Sequence, residues 1–347
     1  MRTVALLALA VFGASCTAGS ASLNAKPADL YSIMPSMADV RSLMGDSNWW
    51  ASAPSFEVRP LDAETTPATV KFSVSEDYLH MGTAEELFAR YTVYDKAASA
   101  TAAMSNYKAA FGASPSTPKV GDDVLYYPVT GNGGGAPFIT RTFVRVGQVI
   151  LTLVWARKDN NTKVDMLAKN AKKFAAGMRD LSKVHASPTP VDVKLLPPPG
   201  RLITFLGATQ VPIEAFVTLT RTSLPDYALQ VLRSSGVTSF VYGDYALNND
   251  THMEVQTALL RLPSAADGPS FSKLFGPSPT ADAEGIYSGY IPIGGTPAAG
   301  VYEYVLSSGT YGIMIICKAS LEGEAASKEC ENPSHDTAIA WKLALAS

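Results

Sequence analysis

Phe111-Gly112-Ala113-Ser114-Pro115 returns as Phe275-Gly276-Pro277-Ser278-Pro279, 164 residues further along the chain. Gly121, Tyr126 and Pro128 recur at the same offset as Gly285, Tyr290 and Pro292. Seven of the eighteen positions from 111 to 128 are thus identical to their counterparts, where unrelated sequence gives about one. A 347-residue chain with this period is expected to build two related units in tandem. Each, at about 160 residues, is long enough to bury its own core.

The pattern extends on both sides. Val146 to Val154 parallels Ser308 to Ile316, and Phe88 to Ala98 parallels Val255 to Ala266. The expected division is residues 1–22 as an export signal, 23–184 as the first copy, 185–190 as a proline-bearing linker and 191–347 as the second copy. Within a copy, Pro35 or Pro198 precedes a short helix that Gly45 or Gly207 ends as a C-cap. A strand follows near Phe72, with a counterpart near Phe240. The next strand alternates, with Leu87, Ala89, Tyr91 and Val93 on one face and Phe88, Arg90, Thr92 and Tyr94 on the other. Asp95 is placed to cap an alanine-rich helix that reaches Phe111 and stops at Gly112.

Val124 to Val129 and Phe138 to Val146 are expected to form a hairpin around the glycine run 131–135. Val149 to Trp155 then reads as a central strand covered on both faces. Val164, Leu167, Ala171, Phe174, Met178 and Leu181 fall on one face of a closing helix, with Ser334 to Leu345 as the shorter equivalent. The fold class is α+β: two tandem related domains, each an antiparallel sheet packed with helices on one face.

The N-terminus sets the compartment. Met1-Arg2, the apolar run Val4 to Phe12 and the small residues from Gly13 have the order of a secretory signal. Ala14-Ser15-Cys16 looks like the end of a bacterial lipobox, with Gly13 where an aliphatic residue is usual, so Cys16 is a lipidation candidate and the membrane a partner through that lipid. Ordinary cleavage near Ser20 or Ala21, discarding Cys16, is the alternative. Cys317 and Cys330 read as a disulfide in such a compartment, ahead of a metal site with His335.

Asp192 to Pro197 running to Leu206-Gly207-Ala208, and Thr257 to Ala266, resemble the extracytoplasmic sensor-type domains of actinobacterial lipoproteins. The same domain forms the outer portion of a mycobacterial serine/threonine receptor kinase. The similarity covers about half of each copy. It departs in cysteines, since those domains carry internal disulfides and the first copy here has none after Cys16. The resemblance implies an extracytoplasmic sensing role with no assigned ligand.

Chemistry is sparse. His80, His185, His252 and His335 sit in no HxxxH or HxH arrangement, so no metal and no cofactor are expected. No GxSxG elbow and no phosphate-binding loop occurs. The adjacent pairs Asp122-Asp123 and Glu85-Glu86 point to opposite faces of a strand and form no acid–base dyad by themselves. Tyr126, Trp155, Tyr290 and Tyr302 are candidates for a ligand-binding face, with core filling as the competing assignment. One of Trp49 and Trp50 should be buried.

Formal charge is −3, which gives no general attraction for nucleic acid. Residues 23–184 carry 18 basic and 16 acidic side chains, residues 185–347 only 9 basic and 15 acidic. Lys169, Lys172 and Lys173 make a basic patch on the closing helix of the first copy. The expectation is therefore an exported, lipid-anchored, non-enzymatic envelope protein that binds a small molecule or an envelope protein, with a ligand at the junction of the copies. A structural subunit of an envelope complex is the alternative. An envelope hydrolase would instead require Asp122, His80 and a hydroxyl to converge.

Overall fold

The computed structural model describes residues 25–52, 55–57, 69–83, 85–128, 138–181, 196, 203–219, 225–247, 254–292, 300–318 and 323–346. The export signal with Cys16, the 185–190 linker and the glycine run 131–135 lie outside the described residues.

The N-terminal domain begins with α1 (Pro27–Ser32) and α2 (Met37–Met44), followed by β1 (Trp49–Ala51) and β2 (Ser55–Glu57). Then come β3 (Val70–His80), β4 (Glu86–Tyr94), α3 (Ala97–Phe111), β5 (Asp123–Tyr127), β6 (Phe138–Val146), β7 (Val149–Arg157) and α4 (Val164–Phe174). The C-terminal domain contains β8 (Ile203–Pro212), α5 (Ile213–Leu219), α6 (Pro225–Ser234), β9 (Ser239–Leu247), β10 (Glu254–Arg261) and α7 (Gly268–Phe275). It closes with β11 (Tyr287–Pro292), β12 (Gly300–Ser308), β13 (Tyr311–Lys318) and α8 (Gly323–Ala346).

Both sheets are antiparallel and follow one connectivity. The first runs β1-β3-β4-β7-β6-β5 with β2 also on β3, and the second runs β8-β9-β10-β13-β12-β11. The α+β class is therefore as expected, but helices cover both faces of each sheet. On β4 and β7, Tyr91, Val93, Leu151 and Leu153 enter a core closed by α1, α2 and α4. The alternate residues Tyr94 and Ile150 enter a second core under α3. In the second sheet Leu260 and Met314 face α5, α6 and α7, while Leu259, Ile313 and Ile315 face Trp341 of α8. A strand whose both faces are covered loses its polar alternation, which is why β7 reads as a continuous apolar run.

Local signals held unevenly. Gly45 ends α2 in the left-handed conformation, its N–H bonded to Arg41 O, as a C-cap glycine does. Lys96, not Asp95, occupies the N-cap of α3 and makes no side-chain cap, while the Asp95 N–H donates to Thr69 O at 2.8 Å. Gly207 ends no helix: it lies inside β8, at the register shift against β9. A Cβ there would overlap the Tyr31 ring, so the glycine serves a close approach between domains rather than a turn.

Helix α8 is longer than expected, and the disulfide Cys317–Cys330 ties its first half to the end of β13. Pro333 sits inside it, and Thr337 Oγ1 donates to Pro333 O at 2.6 Å. Replacing both cysteines with alanine removes a cross-link spanning 13 residues and is expected to cost about 3 kcal/mol in the chain-entropy model. Urea titration of oxidised wild type against the double variant measures this loss.

The two domains share a packed seam. Tyr31 Oη donates to Ala208 O at 3.0 Å, and Leu206 of β8 enters the N-terminal core. Thr209 Oγ1 donates to Ala51 O at 3.4 Å. The Phe56 N–H donates to Glu254 Oε1 at 2.7 Å. Trp50 and Met81 pack on the C-terminal core in return, with the Arg41 guanidinium 4.4 Å above the Trp50 ring, while Trp49 is buried. Side chains of the two domains thus meet directly at the junction.

Candidate functional site

An open concavity lies in the N-terminal domain. A cleft of about 600 Å³ lies between α4 and the loop 118–121 that leads into β5. Val120, Val146, Ala168 and Ala175 form its apolar lining, and Lys119, Lys169, Lys172 and Arg179 bring positive charge to it, with Asp165 the acidic member. An apolar lining under a cationic rim suits a ligand with an apolar body and an anionic group.

The local sequence explains this placement. Leu167, Ala171 and Phe174 bury one stripe of α4, which leaves Lys169 and Lys172 exposed on its outer side. Lys173, the third residue of the patch, is committed elsewhere, to Asp39 Oδ1 at 2.7 Å. A hydrogen bond from that ammonium keeps the Asp39 carboxyl below its usual range. Asp122 holds Arg179 at the cleft, 2.9 Å away, and accepts the Gly147 N–H at 2.7 Å. That amide bond, with Arg179 and Arg145 beside it, lowers the Asp122 pKa.

Of the aromatic candidates, Tyr126 and Trp155 are buried in the N-terminal core. Tyr126 still bears on the cleft, because its Oη donates to Pro118 O at 2.6 Å and fixes the bordering loop. Trp155 lies under the Arg157 guanidinium at 4.4 Å. Tyr290 and Tyr302 face each other across β11 and β12, and Tyr302 packs on the disulfide. The structure therefore brings two of the four together and leaves the other two in a separate core.

Asp122 and His80 do not converge. Asp122 lies by the β6–β7 turn at Gly147, whereas His80 ends β3 at the opposite end of the sheet. His80 Nε2 lies 2.9 Å from Asp46 Oδ2, and its Nδ1 lies 2.8 Å from Thr83 Oγ1. Hydroxyl, imidazole and carboxylate in line have the form of a catalytic relay. Here, however, Thr83 Oγ1 also accepts the Glu85 N–H at 3.3 Å, and Trp49 packs edge-on against the imidazole. The trio closes the β3–β4 hairpin.

Asp282, Glu284 and His335 offer atoms within 4.8 Å of one another. Asp282 Oδ1 already accepts the amides of Glu284 and Ile286, at 3.0 and 2.8 Å, which makes this a hydrogen-bonded turn against α8.

Sequence reading missed a buried carboxyl pair at the seam. Asp244 of β9 and Glu254 of β10 are diagonal neighbours across the strand pair and are both nearly inaccessible. Burial, and then the Glu254 charge, hold the Asp244 carboxyl well above the usual range. Lys318 Nζ sits 3.0 Å from Glu254 Oε2. Glu76 in the first core and Glu303 on β12 are each pushed up to about 8 by burial.

No protein-family model and no curated relative matches the chain. Among solved structures, the extracellular domain of PknH from Mycobacterium tuberculosis is similar, with 10% identity and a TM-score of 0.35 over 47% of this chain and 100% of that one.

Proposed function

We propose that this chain is an exported, non-enzymatic binding protein of a bacterial envelope, anchored by lipid on Cys16, and that its N-terminal domain takes an anionic ligand with an apolar body in the cleft beside α4. The observation that carries this reading is the cationic rim of Lys119, Lys169, Lys172 and Arg179 over an apolar lining. The Cys317–Cys330 bond supports an oxidising compartment, and the order of residues 1–22 supports export. No helix among the described residues is long and apolar enough to cross a membrane, so attachment through the lipidated cysteine is the anchor this reading requires. The hydroxyl–imidazole–carboxylate trio is used up in a hairpin, which supports binding over catalysis.

Isothermal titration with dodecyl phosphate, a probe with one anionic group and one apolar tail, tests the cleft. Wild type is expected to bind it at one site. Lys169→Glu with Lys172→Glu is expected to weaken binding by about a hundredfold or more, since charge-assisted bonds contribute roughly 1.5–3 kcal/mol each. Equal affinity in the variant would remove the cleft as the site.

A further inference from the structure

We propose that Asp244 and Glu254 form a proton-sharing latch that holds the two domains together at mildly acidic pH and loosens as the pH rises. Asp244 pairs with Gln256 and Gly207, and Glu254 pairs with Ala246 and Lys318, so both carboxyls point to the same face of the second sheet as diagonal neighbours. The N-terminal domain comes down on that face. Glu254 accepts the Phe56 N–H at 2.7 Å, the Ser55 hydroxyl at 3.3 Å and Gln256 Nε2 at 3.4 Å. Lys318 Nζ bridges Glu254 to Ser55 Oγ at 3.0 Å on each side. Glu254 is thus the acceptor on which strand β2 is docked.

Asp244 has no such support. Its side chain is fully buried, neither oxygen has a partner in good hydrogen-bonding geometry, and the Tyr245 amide and the Lys318 charge offset its burial only in part. An ionised carboxylate in that position would be desolvated and unsolvated by protein. The protonated acid fits, since its O–H donates to the neighbouring Glu254 carboxylate. Counting charge gives the same answer: two adjacent buried carboxyls face one ammonium, so the site is neutral with one proton and carries a net negative charge without it.

The surrounding elements supply little compensation. From β13 comes Lys318; from β10, Glu254 and Gln256; from β2, Ser55 and the Phe56 amide. From α1, Tyr31 lies on Gly207, the strand neighbour of Asp244. Further along the same face stand Tyr242 of β9 and the acidic Glu303 of β12, which add no positive charge. Loss of the shared proton therefore sets two carboxylates against each other beneath β2. The Glu254 oxygens turn toward Lys318 and water, and the hold on the Phe56 amide weakens. This device is independent of the cleft, which lies on α4.

Amide hydrogen exchange of the full-length protein between pH 5 and 9 tests the latch, read at Ser55–Glu57 and referenced to β7. In wild type the local opening of β2 is expected to increase by up to about tenfold per pH unit while Asp244 loses its proton. Asp244→Asn keeps the shape of the neutral acid and cannot ionise, so its referenced exchange should stay flat. Glu254→Gln removes the like charge and should flatten the profile as well, which keeps the test open if Asp244→Asn does not fold. Parallel pH profiles in wild type and in whichever variant folds would overturn the proposal.

Discussion

Stability to urea is expected to fall as the pH rises from about 5 to about 8, by roughly 4 kcal/mol per unit at the steepest. Three carboxyls drive this. Burial pushes Glu76 and Glu303 up to about 8, and burial with the Glu254 charge holds Asp244 well above the usual range. In the unfolded chain each returns to an ordinary carboxyl value. The folded protein therefore binds more protons through the whole window. The stabilisation is fully present below the unfolded values and is lost as the pH climbs through the folded ones, at about 1.4 kcal/mol per unit for each group.

Carboxyls lowered in the fold, such as Asp39 and Asp122, act in the opposite sense and only under acid conditions; being partly exposed, they are screened. Glu76 isolates one share of the slope. Its Oε2 accepts Tyr78 Oη at 3.0 Å, while Oε1 has no partner inside an apolar core. Glu76→Gln is neutral at every pH and should remove that share. A wild-type profile that is flat between pH 5 and 8 would contradict the assignment.

Gly207→Val is expected to destabilise the protein by about 3 kcal/mol, through the seam rather than through β8 itself. A side chain at 207 would occupy the volume of the Tyr31 ring. Tyr31 is fully buried and anchored through Ala208 O, so it has no free rotamer into which to retreat. Moving it would also break that hydrogen bond, for about 1 kcal/mol more. Tyr31→Ala should recover part of the loss in the Gly207→Val background, although it is destabilising alone. That sign reversal is the signature of direct contact in a double-mutant cycle. Calorimetry on the four proteins measures it, and strictly additive effects would contradict the contact.

The strands were legible because their residues report their own surroundings. Leu87, Ala89, Tyr91 and Val93 alternate with partners that face a second core, and β7 is apolar throughout since both of its faces are covered. The stripe on α4 and the C-cap at Gly45 were readable for the same local reason.

What depended on distant chain was not. Leu206-Gly207-Ala208 carries the residues of a helix end, and only the Tyr31 ring from α1 makes the glycine a strand position. Asp244, Glu254 and Glu303 sit at alternate positions that pass for a solvated face until the helices and β2 cover them. For the cleft, the lysines of α4 were visible as a patch. Lys119 and Arg179 join them through the 118–121 loop and the chain beyond α4, and Asp122 fixes that arrangement. Tyr126 and Trp155 share the inward parity of their strands, so sheet geometry puts both in the core.

Native mass spectrometry of the mature protein, taken gently from its own envelope, tests binding at the cleft most directly. An anionic amphiphile is expected to be released on denaturation from wild type and to be missing from Lys169→Glu with Lys172→Glu, with the lipid on Cys16 retained in both. A wild-type protein of bare polypeptide mass, or an adduct that survives the double substitution, would contradict it.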